Sequence, residues 1–146
     1  MMYRCLIANR GEIAVRIIRA CRELNIETVA IYAKGDENSL HVSLADQAIC
    51  IGEANPLDSY LNIDRIISAA KVTESNVIHP GYGFLSESTN FAKAVEDNHI
   101  HFIGPSKTTM EMMGDKITAR QTVKQAGVPV IPGSNDAVQS VDEIKL

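Results

Sequence analysis

His79-Pro80-Gly81-Tyr82-Gly83-Phe84-Leu85-Ser86-Glu87 follows an apolar run, Val77-Ile78, and precedes residues 88–98, whose spacing predicts a helix. The short apolar run reads as the end of a buried strand. The nine residues are then the loop at the carboxyl end of that strand, which is where open α/β sheets bind ligands. Gly81 and Gly83 let the backbone take conformations closed to other residues and come close to a partner. The same glycines also suit a plain strand-to-helix turn, and the stretch alone leaves both readings open.

Outward from this loop, strands and helices alternate. Cys5-Leu6-Ile7-Ala8 is a continuous apolar run, as in a strand covered on both faces. Behind the turn Asn9-Arg10-Gly11-Glu12, residues Ile13, Ile17, Cys21 and Leu24 recur at helical spacing, and Asn25 is the stop. Residues 28–32 predict a second strand, 41–44 a short helix, and 46–51 a third, weaker strand ending at Gly52. Residues 62–71 predict another amphipathic helix, 76–78 the fourth strand and 101–103 a fifth; Phe91, Ala94 and Val95 form the stripe of the helix between those two. The alternation predicts βαβ units in a mainly parallel sheet.

After Gly104 the pattern changes. Ser106 is a good N-cap, Met110 and Met113 form a stripe, and Gly114 is a stop signal. Asp115 can cap a helix over 116–126 that ends at Gly127-Val128-Pro129. Ser140-Val141-Asp142-Glu143 is a capping box, and the helix it opens has about one turn before Leu146. This reads as a fragment, cut where a second domain begins.

Composition narrows the function classes. A net charge of −4 argues against a nucleic-acid domain and against an anionic membrane surface, both of which favour basic patches. No apolar run approaches a membrane span, and the start of the chain shows no secretory leader, so the expected location is the cytoplasm. Cys5, Cys21 and Cys50 lack metal spacing and all read as core-packing thiols in a reducing compartment. His99 and His101 would share a strand face but form no ligand pair of helical spacing.

The first βα turn has one glycine and no G-x-G-x-x-G, and Glu12 would stand where a pyrophosphate must approach. Lys116, in the first turn of a helix behind Gly114-Asp115, puts a cation where helix amides gather, a place that can bind phosphate; a solvated lysine is the plain alternative. Arg10, Glu12, Arg16, Arg19, Arg22 and Glu23 cover the outer face of the first helix, either as a solvated face or as a subunit contact. Glu12 and Arg16 are spaced to pair along it.

Ala8-Asn9-Arg10-Gly11-Glu12-Ile13-Ala14, the whole of residues 79–87, Phe102-Ile103-Gly104-Pro105-Ser106 and Met113-Gly114-Asp115-Lys116 stand in this order. Together they resemble the N-terminal region of biotin carboxylase, as found in acetyl-CoA carboxylase, pyruvate carboxylase and related acyl-CoA carboxylases, over essentially the whole chain. The resemblance implies an α/β fold: a parallel-sheet, Rossmann-like domain over residues 1–105, then linker helices and the incomplete beginning of an ATP-grasp module over 106–146. It implies an ATP-dependent ligase that uses ATP with Mg2+ (or Mn2+) and bicarbonate, by way of carboxyphosphate, to carboxylate biotin on a carrier protein. The first half-reaction of acetyl-CoA carboxylase in fatty acid synthesis is the leading expectation, with pyruvate carboxylase as the alternative.

By position, Lys116 resembles the lysine that contacts the ATP phosphates. Tyr82 and Gly83 look like part of the wall near the biotin site, and Glu87 resembles a buried glutamate of that loop, in support or in catalysis. Arg16, Arg19 and Glu23 look like the charged surface that pairs two subunits into a homodimer. The implied partners are the biotin carboxyl carrier protein and a carboxyltransferase component. The family's glycine-rich lid, metal-binding glutamates and bicarbonate-binding residues find no match here, so no catalytic set is complete, no metal site is expected, and the chain alone is expected to be inactive. Three rivals stand beside this reading: another ATP-grasp ligase, a non-catalytic module that docks to a carboxylase subunit through its first-helix face, and a nucleotide-binding sensor domain, which the absent glycine fingerprint disfavours.

Overall fold

The computed structural model describes residues 3–131. The chain divides into two compact units, Met1–Pro105 and Ser106–Leu146. In the first, strands β1 (Arg4–Ile7), β2 (Glu27–Ala33), β3 (Gln47–Gly52), β4 (Val77–His79) and β5 (His101–Phe102) alternate with helices α1 (Gly11–Glu23), α2 (Leu40–Leu44), α3 (Ile63–Val72) and α4 (Thr89–Asp97). The strands form one parallel sheet in the order β3-β2-β1-β4-β5. β1 is central, with Leu6 in register with both Val29 and Ile78.

Successive strand side chains point to opposite faces, so the full burial of Cys5, Leu6 and Ile7 means that both faces of β1 are covered. On one face Ile17, Ile18 and Cys21 of α1 pack against Cys5, Ile7 and Val77. Cys5 and Cys21 share this cluster, and the neighbouring Cys21 thiol together with burial raises the Cys5 pKa. Phe91 of α4 meets Phe102 of β5 edge to face, with ring centroids 5.9 Å apart. His41 of α2 is buried; its Nε2 lies 3.2 Å from the Ile31 carbonyl, its Nδ1 has no partner among the described residues, and burial lowers its pKa.

Local chemistry sets the helix ends. The Asn62 side chain accepts the Arg65 amide at 3.1 Å, and Ser88 Oγ accepts the Phe91 amide at 3.2 Å, as N-caps do. Three helices end alike. Asn25, Glu74 and His99 have φ of 56°, 53° and 58°, and the amide of the next residue returns to the carbonyl of Cys21, Ala70 or Val95. This is the Schellman closure, here made without glycine.

Cys50 departs from the expected burial: it is exposed. It lies on β3, an edge strand in which only Ile51 is buried, so the apolar neighbours Ile49 and Ile51 do not enclose it. The ion pair expected between Glu12 and Arg16 is not among those of the described residues, because the Glu12 carboxylate is engaged elsewhere.

In the second unit α5 (Lys107–Gly114) and α6 (Lys116–Gln125) pack together. Ser106 caps α5 through the Thr109 amide at 3.2 Å, and Asp115 caps α6 through the Thr118 amide at 2.7 Å. Met110 is buried, whereas Met113 of the expected stripe is exposed. The capping box at residues 140–143 lies outside the described residues. Among the described residues no helix is long and apolar enough to cross a membrane.

Candidate functional site

The strand order reverses at β1: β2 and β3 lie to one side, β4 and β5 to the other. In a doubly wound sheet this switch point opens a crevice outside the carboxyl ends of the two diverging strands. Here those ends carry Asn9 to Glu12, after β1, and Pro80 to Glu87, after β4. Between them lies an open groove of 390 Å³ lined by Asn9, Arg10, Gly11, Glu12, Ile13, Tyr82, Gly83 and Phe84.

Three contacts from other loops fix the β4 loop. The first is Asn9, which is 3% exposed. Its Nδ2 donates to the Pro80 and Tyr82 carbonyls, both at 2.8 Å, and its Oδ1 accepts the Arg10 amide at 2.9 Å. Gly81, between those two carbonyls, has φ 68°, and a Cβ there would stand 2.7 Å from Asn9 Nδ2. Only glycine fits so close an approach in that backbone conformation. Within the loop the Gly81 amide donates to His79 Nδ1 at 3.0 Å, which requires the neutral imidazole; burial lowers the His79 pKa in the same direction.

The second contact holds Phe84. Its ring stacks on Tyr60 with centroids 5.3 Å apart, and the Arg10 guanidinium lies 5.5 Å from the Tyr60 centroid and 5.9 Å from that of Phe84. Tyr60 is 1% exposed; its hydroxyl donates to Asp36 Oδ2 at 2.6 Å and accepts the Ala33 amide at 3.0 Å. Burial first, and then the Asp36 carboxylate, push the Tyr60 phenol well above its ordinary range. Asp36 also faces Arg10 at 3.6 Å. The third contact is at the rim, where the Tyr82 hydroxyl donates to Glu12 Oε1, a bond that raises the Tyr82 pKa.

The structure brings Tyr82 and Gly83 together at the groove, both exposed. Glu87 is exposed, not buried as its motif suggested. The turns Ser86 N–H to Gly83 O and Ser88 N–H to Leu85 O point Leu85 inward, and Glu87 stays outside just before the Ser88 cap. Arg16, Arg19 and Glu23 are exposed on α1. Arg16 and Arg19, with Glu12, Ser39 and His41, border a second groove of 480 Å³ between α1 and the start of α2. Lys116 is exposed at the first residue of α6, in the second unit. Among the described residues no group of three His, Cys, Asp or Glu could hold a metal ion.

Sequence reasoning passed over Asn9, Asp36 and Tyr60 as parts of the site. Asn9 stood in a quoted motif, but its buried amide cannot be told from an ordinary turn residue. Asp36 sat in a polar loop and Tyr60 beside a surface connection, with nothing local to link them.

The comparisons with known proteins agree on one family. The family model "Biotin carboxylase, N-terminal domain" matches residues 1–110. Biotin carboxylase 1 of Bacillus subtilis is 55% identical over 143 residues, which are 98% of this chain and 32% of that protein. Pyruvate carboxylase of the same organism is 50% identical over 143 residues, 97% of this chain and 12% of that one. Among solved structures, the biotin carboxylase domain dimer of Hydrogenobacter thermophilus 2-oxoglutarate carboxylase, in complex with MgADP, ADP and bicarbonate, superposes with a TM-score of 0.89 at 50% identity, covering 99% of this chain and 32% of that one. The chain thus spans about a third of the length of the biotin carboxylase relative it matches. With the family model covering residues 1–110 of 146, the chain belongs to the biotin carboxylase N-terminal domain family.

Proposed function

We propose that this chain serves the ATP- and bicarbonate-dependent carboxylation of biotin borne on a carrier protein. The observation that carries the reading is the groove at the β1/β4 switch point, walled by Tyr82 and Gly83 of the loop that the family motif identifies. Tyr82, exposed and held by Glu12, offers an aromatic face to the flat ureido bicycle of biotin. Gly83, with no side chain, keeps the wall low, and the space where a Cβ would stand is open.

Lys116 is the proposed contact to the ATP phosphates. A preplaced cation at the amino end of α6 adds its charge to that of the helix amides, which suits an anion. The described residues supply no magnesium site, and no step here runs through the metal. Glu87, exposed at the end of the loop, has a supporting role in this reading. Arg16, Arg19 and Glu23 form the proposed contact between two subunits of a homodimer.

The proposed setting is the cytoplasm, in keeping with three free cysteines, and the proposed pathway is the first half-reaction of acetyl-CoA carboxylase in fatty acid synthesis. A carboxyltransferase component selects the final acceptor, so a pyruvate-carboxylating assembly is the alternative. One wall of a site does not make a catalyst, and the 146-residue chain by itself should turn over nothing. The test compares bicarbonate-dependent phosphate release from ATP, with and without free biotin, for the chain alone and for a full-length carboxylase carrying it. Biotin stimulation in the full-length protein only is the expected result. Stimulation in neither overturns the proposed function, and stimulation in the chain alone overturns the claim that its site is incomplete.

A further inference from the structure

Of the side chains on the β4 loop, Phe84 stacks on Tyr60 with Arg10 beside both rings and Leu85 is buried, but Tyr82 is 60% exposed and stands between two glycines of positive φ. Asn9 holds the Tyr82 carbonyl, but no packing fixes the exposed ring. One interaction does reach it: its hydroxyl donates to the Glu12 carboxylate from across the groove, 70 residues away in sequence. Glu12 is itself well placed to hold. It lies in the first turn of α1, where the helix amides favour a carboxylate, and Arg16 one turn on does not compete for it.

We propose that Glu12 is a positioning residue: its carboxylate holds the Tyr82 phenol so that the ring stands as a fixed wall of the groove. The proposal rests on the reading that this groove receives biotin. A wall orders the ligand without touching the reacting atoms. Its loss should therefore raise the KM for biotin and leave turnover at saturating biotin unchanged, as does the loss of binding energy shared equally by ground state and transition state.

The test uses a full-length carboxylase carrying this chain, with free biotin as the probe. Glu12→Ala should raise the KM for biotin about five-fold, the range of one charge-assisted hydrogen bond at an exposed site. kcat and the KM values for ATP and bicarbonate should not move. Glu12→Gln, which keeps an acceptor oxygen, should stay within about two-fold of the parent. Tyr82→Phe should match Glu12→Ala, and the double variant should be no worse than either single one, because both remove the same bond. Additive losses, or an unchanged KM in Glu12→Ala, overturn the positioning role. Tyr82→Ala separates the two levels. If it raises the KM for biotin while Glu12→Ala does not, only the positioning role falls; if it too leaves the KM unchanged, the biotin reading of the groove falls with it.

Discussion

Gly81→Ala should be far more costly than Gly83→Ala, although the two glycines have nearly the same backbone conformation, φ 68° and 65°. The shared part is the left-handed conformation, which costs an L-residue about 1 kcal/mol. At Gly83 that is the whole cost, because nothing lies within 4 Å of the added methyl. At Gly81 the methyl would stand 2.7 Å from Asn9 Nδ2 and 3.1 Å from its Cβ and Cγ. Asn9 is buried and cannot swing away into solvent, so its amide must leave the Pro80 and Tyr82 carbonyls. Two hydrogen bonds at about 1 kcal/mol each bring the total for Gly81→Ala to about 3 kcal/mol.

Urea unfolding followed by far-ultraviolet circular dichroism reads the difference. With a slope of roughly 1.5 kcal/mol per molar, the midpoint should fall by about 2 M for Gly81→Ala and by about 0.7 M for Gly83→Ala. Most of the excess should vanish in an Asn9→Ala background, where the amide is gone and only the tight contact with Cβ at 3.1 Å remains. Equal midpoints for the two alanine variants, or an excess undiminished in Asn9→Ala, would show that Asn9 does not grip the loop as described.

Four further outcomes are expected. Phe91→Ala, which empties a fully buried site beside Phe102, should cost about 3–5 kcal/mol by the same unfolding assay. Burial lowers the pKa of both His41 and His79, so below the ordinary histidine value of about 6.5 the unfolded chain binds more protons than the folded one. Their contribution is therefore full above that pH and is lost as the pH falls through the lower folded values. Urea midpoints at pH 7.5 and pH 5 should drop in that order, and His79→Gln should shrink the drop; a midpoint that rises on acidification contradicts the buried neutral state. In the full-length carboxylase, Lys116→Ala should raise the nucleotide dissociation constant about ten-fold, measured by calorimetry, with the unfolding midpoint unchanged. Arg16→Glu, also in that protein, should shift its dimer dissociation to higher concentration in a sedimentation dilution series.

How far the sequence could be read depended on how far apart the deciding residues stand. The helix starts at Ser106 and Asp115 were legible because an N-cap and the amide it accepts from lie three residues apart, whereas Asn62 and Ser88, read as helical by spacing, prove to be the caps. The parallel sheet followed from the alternation of apolar runs with helical stripes. Among the helix ends, only Asn25 was a recognisable stop in the first unit. Glu74 and His99 adopt the same left-handed geometry, but their chemistry does not announce it, and the returning amides of Ser75 and Ile100 supply the closure. Cys50 was misjudged because its flanking isoleucines say nothing about whether β3 is an edge strand.

The site shows the same limit more sharply. The loop at 79–87 stood out by composition, yet what holds it comes from Asn9, Arg10, Glu12, Asp36 and Tyr60, up to 74 residues away (Arg10 to Phe84). These contacts exist only because β1 and β4 are neighbours across the switch point and β2 delivers Asp36 to the same edge. Three loops far apart in the chain thus meet on a single rigid sheet edge, and the wall of the groove inherits its precision from that sheet. It follows that the Asn9-to-Glu12 motif and the 79–87 motif are one structural unit: a substitution in either should register in the other. The Asn9–Gly81 and Glu12–Tyr82 pairs are the two places where that coupling can be measured.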